Sequence, residues 1–165
     1  DPIKIFIALR ELIHLGIISS ENFELIFRGG ACTEQHRKMI DQLELDGIVT
    51  FAPSISYQES LVEMMQADCL LIIQGKLFNN QIPGKAYEYI RTAKPILALT
   101  GEGGATGELM ERISSGYSCS TSEALNKILK IIIKGSDSFD SDIRNYSRYS
   151  KTEDLKKLLD ELNTT

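Results

Sequence analysis

The residues best suited to chemistry lie in one polar stretch near the middle of the chain. The stretch Gln74–Lys85 follows a short apolar run and leads into a segment with helical spacing. Pro83 suits the first position of that helix, because its missing amide would be unbonded there. The amides of Gly84 and Lys85 are then free to bind an anion, and the helix dipole adds about 0.3–1 kcal/mol. The stretch is therefore a candidate phosphate site.

Glu88 lies one helical turn beyond this candidate phosphate site. A carboxylate at that place can accept hydrogen bonds from both hydroxyls of a ribose. Each such hydrogen bond to a charged group is worth about 1.5–3 kcal/mol. The alternative is that Lys85 and Glu88 form a solvated i,i+3 ion pair, worth about 0.2–0.5 kcal/mol. Spacing alone leaves both interpretations open.

Other loops with glycine or cationic residues follow predicted strands. Arg28-Gly29-Gly30 lacks the G-x-G-x-x-G spacing and is interpreted as a plain strand-to-helix turn. Gly101–Ala105 either lines the same pocket or is a flexible connection. Lys76 and Arg91 are further candidate phosphate ligands. Ligands of open parallel sheets bind at the carboxyl ends of the strands, which is where these loops fall.

The elements that would position these residues alternate along the chain. Short β-rich runs predict strands at Phe23–Arg28, Ile48–Phe51, Cys69–Ile73, Pro95–Leu99 and Tyr117–Cys119. Between them, apolar residues recur at three- and four-residue intervals, as in amphipathic helices. Strands that are apolar almost throughout indicate a parallel sheet covered on both faces. The predicted fold class is α/β, a three-layer Rossmann-like parallel sheet with helices on both faces, in one domain spanning residues 1–165.

Capping patterns mark the predicted helix ends. Two Ser-x-x-Glu pairs match the capping box, namely Ser56 with Glu59 and Ser120 with Glu123. Left-handed C-terminal caps are expected at Gly116, after Thr106–Ser115, and at Gly135, after Glu123–Lys134. The anion-site helix is predicted at Pro83–Ala93. His14 and His36 lie near helix ends and are predicted to have surface or capping roles.

The two ends of the chain are predicted to be helical. Residues 3–7 alternate loosely like a strand, but Asp1-Pro2 favours a helix start and Gly16 a stop, so a helix is favoured. The pattern weakens from Ser136 to Ser150. A last helix is predicted with Thr152 as its cap, and its apolar stripe consists of Leu155, Leu158, Leu159 and Leu162. The four methionines, Met39, Met64, Met65 and Met110, are predicted to lie in the core.

Composition limits the classes of function. The chain has 165 residues and a net charge of -5 without a clustered basic footprint, which argues against nucleic acid as a partner. No apolar run is long enough to span a bilayer. The cysteines, Cys32, Cys69 and Cys119, lack metal-ligand spacing, and no metal or cofactor is predicted. Asp1-Pro2 opens the sequence without a basic and apolar lead segment, so no signal peptide is predicted. Because free thiols suit a reducing compartment, a cytoplasmic location is expected.

Four segments, in order, resemble a known family. Ile82–Ile90 followed by Ala93–Ala98 resembles the "(S/P)GK-x-x-EY-x-x-x-x-KP" signature of retaining glycosyltransferases with two facing Rossmann-like domains, the GT-B fold. Val49–Tyr57 is similar to that family's "V-x-F-x-G-x-V" strand and loop. Glu63–Leu71 is similar to its "l-x-x-A-D-v-l-l" segment. The resemblance runs from about residue 3 to about residue 134 and implies the C-terminal, donor-binding half of such an enzyme.

The resemblance also implies roles for particular residues. Glu88 matches the second glutamate of the family's E-x(7)-E motif, which holds the donor ribose, and the amides of Gly84 and Lys85 match the diphosphate cradle. The loop Pro53-Ser54-Ile55 matches the segment whose main chain reads the base, with Pro53 in place of the family's glycine. Asn80 stands where the family has its first glutamate, which contacts the donor sugar. The catalytic residues stay unknown.

The resemblance leaves one structural question. The chain begins where the family's first strand should end, and in the family that strand lies in the middle of the sheet and carries a Gly-rich turn and a basic phosphate ligand. Either that segment lies outside this chain, or another segment or chain fills the gap. The acceptor-binding domain is expected to be absent too, so the isolated chain should bind donor weakly and catalyse no transfer.

The functional prediction is the nucleotide-sugar-binding domain of a hexosyltransferase in bacterial capsule, O-antigen or exopolysaccharide synthesis. Its expected partners are a nucleotide-diphosphate sugar and, through the absent domain, an acceptor sugar or lipid-linked saccharide. The parent enzyme would be cytoplasmic or peripheral to the inner face of the membrane. The alternative is a non-catalytic Rossmann-like nucleotide-binding or regulatory module, although the strand ends at Arg28, Pro53 and Gln74 lack the acidic cluster of a receiver-like domain.

Overall fold

The computed structural model describes residues 2–135, 146 and 148–163 of the chain. The elements in order are α1 (Ile3–His14), β1 (Leu25–Arg28), α2 (Glu34–Gln42), β2 (Val49–Ala52), α3 (Tyr57–Gln66), β3 (Leu70–Ile73), a 3-10 turn (Lys76–Phe78), α4 (Gly84–Ile90), β4 (Ile96–Leu99), α5 (Ala105–Glu111), β5 (Gly116–Cys119), α6 (Ser122–Ile133) and α7 (Arg148–Asn163). Helices and strands alternate from α1 to α6. The predicted α/β, Rossmann-like class is confirmed, and all five predicted strands are present.

The strands form two parallel sheets. β1 pairs with β2, and Leu25 lies opposite Val49. β3, β4 and β5 form the second sheet in that order, with Leu70 opposite Ile96 and Ile96 opposite Gly116. Within the described residues, β1 and β3 are hydrogen-bonded to one neighbour each, so each has a free edge. The five strands are therefore divided between two separate parallel sheets.

One core joins the two sheets through α1. Phe6, Leu9 and Leu12 of α1 are fully buried, and they share a cluster with side chains of both sheets and of α6. Phe6 meets Phe27 of β1 edge to face, with ring centroids 6.1 Å apart. The helix ends as predicted, since Gly16 has φ +66° and Ile17 donates to the carbonyl of Leu12. The favoured interpretation of the first residues as a helix is confirmed.

The opposite face of the second sheet has a separate core. Ile72 of β3 and Ile96 and Ala98 of β4 pack there against buried residues of α4 and α5, among them Ala86, Ile90 and Met110. Alternate residues of β4, such as Leu97 and Leu99, point into the first core. Helices thus cover both faces, which gives the predicted three layers.

α3 buries none of its residues. Its start was predicted correctly, because Ser56 and Glu59 form the capping box: the Glu59 amide donates to Ser56 Oγ at 3.2 Å and the Ser56 amide to Glu59 Oε2 at 2.8 Å. The prediction that the methionines lie in the core is wrong for Met65, which is 56% exposed, and Met64 is only partly buried. A helical apolar spacing does not reveal whether anything covers the apolar face.

The caps predicted at Ser120 and Gly116 are wrong. α6 is capped by Thr121, whose hydroxyl accepts from the amide of Ala124 at 3.2 Å, and not by Ser120. Gly116 does not cap α5, which already ends at Glu111; it begins β5 instead. Gly135 has φ +74° directly after α6, so its predicted cap is confirmed.

Two further boundaries and one residue of the predicted apolar stripe differ from the predictions. α4 stops at Ile90, because Ala93 turns into the left-handed region (φ +56°) ahead of Pro95. α7 begins at Arg148, so Thr152 lies inside the helix and does not cap it. Leu159 of the predicted apolar stripe is 50% exposed, and the side chains of Leu155, Leu158 and Leu162, like most of 136–150, lie outside the described residues. Within the described residues, no helix is long and apolar enough to cross a membrane.

Candidate functional site

A pocket of about 330 Å³ lies at the carboxyl end of β3. One wall is β3 itself from Leu71 to Ile73, on the strand that has a free edge. The other walls come from the following loop and the start of α4, namely Gln74, Gly75, Phe78, Gln81, Pro83 and Lys85. The pocket therefore lies where ligands of parallel α/β sheets bind.

The loop between β3 and α4 is held in place by side chains bonded to its main chain. Gln74 Nε2 donates to the carbonyls of Phe78 at 2.6 Å and Gln81 at 2.7 Å. Thr106, fully buried on α5, donates to the same Gln81 carbonyl at 3.1 Å. These side-chain hydrogen bonds take the place of the main-chain hydrogen bonds of a helix or strand. They hold the polar loop in the conformation that is described. Sequence reasoning missed both roles, because the partners are main-chain carbonyls without a sequence signal.

The start of α4 presents free main-chain donors beside the pocket. Pro83 is the N-cap, one residue before the predicted position, and it provides no side-chain cap. The Ala86 amide bonds to the Pro83 carbonyl at 2.9 Å, whereas the amides of Gly84 and Lys85 donate to no group of the described chain. No atom lies within 4 Å of where a Cβ of Gly84 would be, so the approach to these amides is open. α4 has only seven residues, so the two amides matter more than its dipole.

Lys85 and Glu88 are not an ion pair. The described part of the chain contains five salt bridges, and neither residue takes part in them. Lys85 is exposed and lines the pocket, and Glu88 is half-buried one turn further along α4. Burial raises the pKa of the neighbouring Tyr89, and the negative charge of Glu88 raises it further. The surface-pair interpretation is thus not what the structure shows; Lys85 lines the pocket, whereas Glu88 is not among its lining residues.

The residues predicted to read the base lie at the end of the other sheet. Pro53 and Ser54 are exposed after β2, and Ile55 is half-buried. The Pro53 carbonyl accepts from Arg28 Nη1 at 3.3 Å, and Ser54 packs over the main chain of Gly29. The described contacts of this loop are therefore with the end of β1, and none of them reaches α4. Asn80 is exposed in the β3–α4 loop.

The other candidate cations differ in availability. Arg28 is bonded through two guanidinium nitrogens to Glu63 of α3, with Nε 2.9 Å from Oε2. This hydrogen bonding raises the pKa of Arg28 and lowers the pKa of Glu63. Arg28 therefore stays charged, and its charge is already paired with Glu63. Arg91 follows the last residue of α4, about 10 Å along the axis from Gly84, and so lies at the wrong end for the anion site. Lys76 is exposed in the turn beside the pocket.

Asn79 links the β3–α4 loop to the β4–α5 loop, a role that no local sequence pattern predicts. Its Nδ2 donates to the carbonyl of Glu102 at 3.1 Å, and its own carbonyl accepts from the amide of Ala105, the first residue of α5, at 2.8 Å. The two strand-end loops are therefore one connected unit.

His36 has the capping role predicted for it. Its Nδ1 accepts from the Thr33 amide at 3.3 Å, and its own amide donates to Thr33 Oγ1 at 3.2 Å, which closes a capping box on α2. The ring stacks on Phe51 with centroids 5.5 Å apart. His14 is exposed in the last turn of α1. In residues 2–135 and the described part of the C-terminus, no three His, Cys, Asp or Glu side chains are grouped to hold a metal.

In comparison with known proteins, the sequence matches no protein-family model and no curated protein. The functional interpretation therefore depends on the pocket beside β3 and on the groups that line it.

Proposed function

We propose that this chain binds the nucleoside diphosphate part of a nucleotide-sugar donor, as the donor domain of a hexosyltransferase. The observation that carries the proposal is the pair of free amides at Gly84 and Lys85, which open beside a pocket together with the unpaired Lys85 ammonium. Main-chain amides and a lysine are the donors that phosphate oxygens accept best.

The pocket suits part of such a ligand. Its volume of about 330 Å³ falls at the small end of ligand sites, which span about 300–1,000 Å³. Hydrogen bonds from Gln74 and Thr106 hold the β3–α4 loop in the ligand-free chain, which lowers the ordering cost of binding. Glu88, half-buried and without an ion-pair partner in the described chain, supplies acceptors for ribose hydroxyls from the same helix.

The chemistry that follows is group transfer. When a sugar leaves a nucleoside diphosphate, negative charge grows on the departing diphosphate, and fixed amides with a lysine stabilise that charge. The described site holds no assigned catalytic base. The acceptor, a sugar or a lipid-linked saccharide of a surface polysaccharide, would bind outside this chain.

Calorimetric titration with UDP, GDP, dTDP and CDP tests the proposal. We expect one of the four to bind selectively, at millimolar to high-micromolar Kd, or about -4 to -6 kcal/mol. Lys85→Ala should weaken this nucleotide and inorganic pyrophosphate alike, because it removes a phosphate ligand. Glu88→Ala should weaken the nucleotide only, because pyrophosphate has no ribose.

Glu123→Ala is the matched control, since Glu123 is an exposed carboxylate on α6 that pairs with Lys127 at 3.2 Å. It should leave both titrations unchanged. If a folded protein binds none of the four nucleotides, the donor-domain proposal is wrong. Equal binding of all four, unaffected by Glu88→Ala, would instead indicate a module that recognises phosphate without reading a nucleoside.

A further inference from the structure

The side chain of Asn79 occupies a socket made by two glycines of the β4–α5 loop. A Cβ placed on Gly101 would lie 2.8 Å from Asn79 Oδ1 and 3.3 Å from both Cγ and Nδ2. A Cβ on Gly104 would lie 2.7 Å from the same Oδ1 and 3.0 Å from Cγ. Carbon atoms in packed proteins do not approach that closely. A methyl group added at either position therefore requires the Asn79 side chain to shift.

The socket explains a motif that the sequence left open. From the sequence, Gly101–Ala105 is interpreted either as a wall of the pocket or as a flexible connection. In the first case the glycines would leave room for a ligand, and in the second they would allow the loop to move. Instead, Gly104 is buried and Gly101 partly buried against Asn79. The amide is also bonded to the Glu102 carbonyl at 3.1 Å. The glycines of this loop therefore make room for one side chain, that of Asn79.

The same contact reaches the anion site along the chain. Asn79 stands between the pocket residues Phe78 and Gln81, in the loop that leads to Pro83 and the free amides of Gly84 and Lys85. Gln74 and Thr106 hold the Gln81 carbonyl. Asn79 anchors the other half of the loop to α5, through its carbonyl and the Ala105 amide at 2.8 Å.

We infer that Asn79, seated between Gly101 and Gly104, is the positioning residue that sets where the free amides of α4 lie. Its Oδ1 is buried without a partner in the described chain. The effect on nucleotide affinity rests on the proposed function; the effect on loop position does not.

The test is a double-mutant cycle between Asn79→Ala and Gly101→Ala. All three atoms nearest to a Cβ on Gly101 belong to the Asn79 side chain. Gly101→Ala should therefore disturb the native protein but be tolerated once Asn79 is alanine. Gly30→Ala is the matched control, since nothing lies within 4 Å of its Cβ position.

Three readouts separate the possible outcomes: the urea midpoint, the amide chemical shifts of Gly84 and Lys85, and the Kd for the best nucleotide of the four. We expect Gly101→Ala to lower the midpoint, to move both amide shifts and to weaken the nucleotide about tenfold, equivalent to about 1.4 kcal/mol. In the Asn79→Ala background the same change should add less than about a twofold further loss.

Equal effects of Gly101→Ala in both backgrounds would overturn the socket. A lower midpoint with unmoved Gly84 and Lys85 shifts would overturn the positioning role and leave Asn79 as a packing contact only. If no nucleotide binds even the native protein, the proposed function fails, whereas the midpoints and the shifts still decide the inference about Asn79.

Discussion

Gly116→Ala should be one of the most damaging single-methyl additions in the described chain. Gly116 begins β5 directly beneath α5, and its amide bonds to the Ile113 carbonyl at 3.1 Å. A Cβ there would lie 2.3 Å from the Met110 carbonyl oxygen, 2.8 Å from Met110 Cα and 2.6 Å from Ile113 Cγ1. Two of these three atoms are main chain and cannot swing aside as a side chain can.

The magnitude follows from what has to move. Overpacking a core position typically costs about 1–3 kcal/mol, the upper part of the range applying when the backbone must shift. Met110 is fully buried in the second core, so moving its main chain also disturbs the packing of α5. We therefore expect a loss of about 3 kcal/mol. For a domain of this size that is a fall in Tm of roughly 6–12 °C, at about 2–4 °C per kcal/mol.

The assay is urea unfolding followed by far-UV circular dichroism, with Gly30→Ala as the control. Gly30 has open space around its Cβ position, so that variant should stay within about 0.5 kcal/mol of the native protein. If Gly116→Ala were as stable as Gly30→Ala, β5 could not lie as close to α5 as described. The explanation of why a glycine begins this strand would then be wrong.

Two further predictions concern pH. Burial raises the pKa of Cys69 to about 11; stability held below about pH 9 should therefore fall as the pH rises through 11, by about 3 kcal/mol. Urea midpoints of Cys69→Ala should show a smaller alkaline loss than the native protein, because burial also raises the pKa of Cys119, which the variant keeps, to about 11; an identical loss in the variant would contradict the assignment. At the acid end, hydrogen bonding to Arg28 lowers the pKa of Glu63, so the pair stabilises above the ordinary carboxyl pKa and that stability is lost as the pH falls through the lowered value. Glu63→Gln should accordingly lower the midpoint at pH 7 but not at pH 2; an equal loss at both would show that charge plays no part.

The elements were predictable because their signals are local. Most of the strands are short apolar runs, and caps such as Ser56 with Glu59, and Gly135, bond to residues no more than four positions away. Prediction failed where one local sequence pattern is compatible with two structures. Gly116 fits a helix cap as well as a close approach between strand and helix, and only packing decides. Ser120 and Thr121 are adjacent possible caps, and the structure uses Thr121.

The site was less predictable, because its supports are not local. Gly84, Lys85 and Glu88 stand out in the sequence through type and spacing. The residues that hold them, such as Thr106 at 3.1 Å from Gln81, are 25 positions apart along the chain. Asn79 appears beside Asn80 as one more loop amide until its neighbours in space are known. The pairing of strands into two sheets is a further non-local property that no single segment encodes.

The divided sheet gives α1 a part in any ligand site that uses both sheets. In the described chain no hydrogen bond joins β1 to β3, so their relative position depends on side-chain packing in the shared core. α1 provides much of that packing, with Phe6 against Phe27 on one side and Lys4 Nζ bonded to the Ser120 carbonyl at 2.6 Å on the other. The loop after β2 lies at the end of the two-stranded sheet, whereas α4 begins after β3 of the three-stranded sheet. A nucleotide that contacted both would therefore bind across a junction held by apolar packing, and substitutions in α1, remote from any phosphate, would reach the site through the spacing of its two halves.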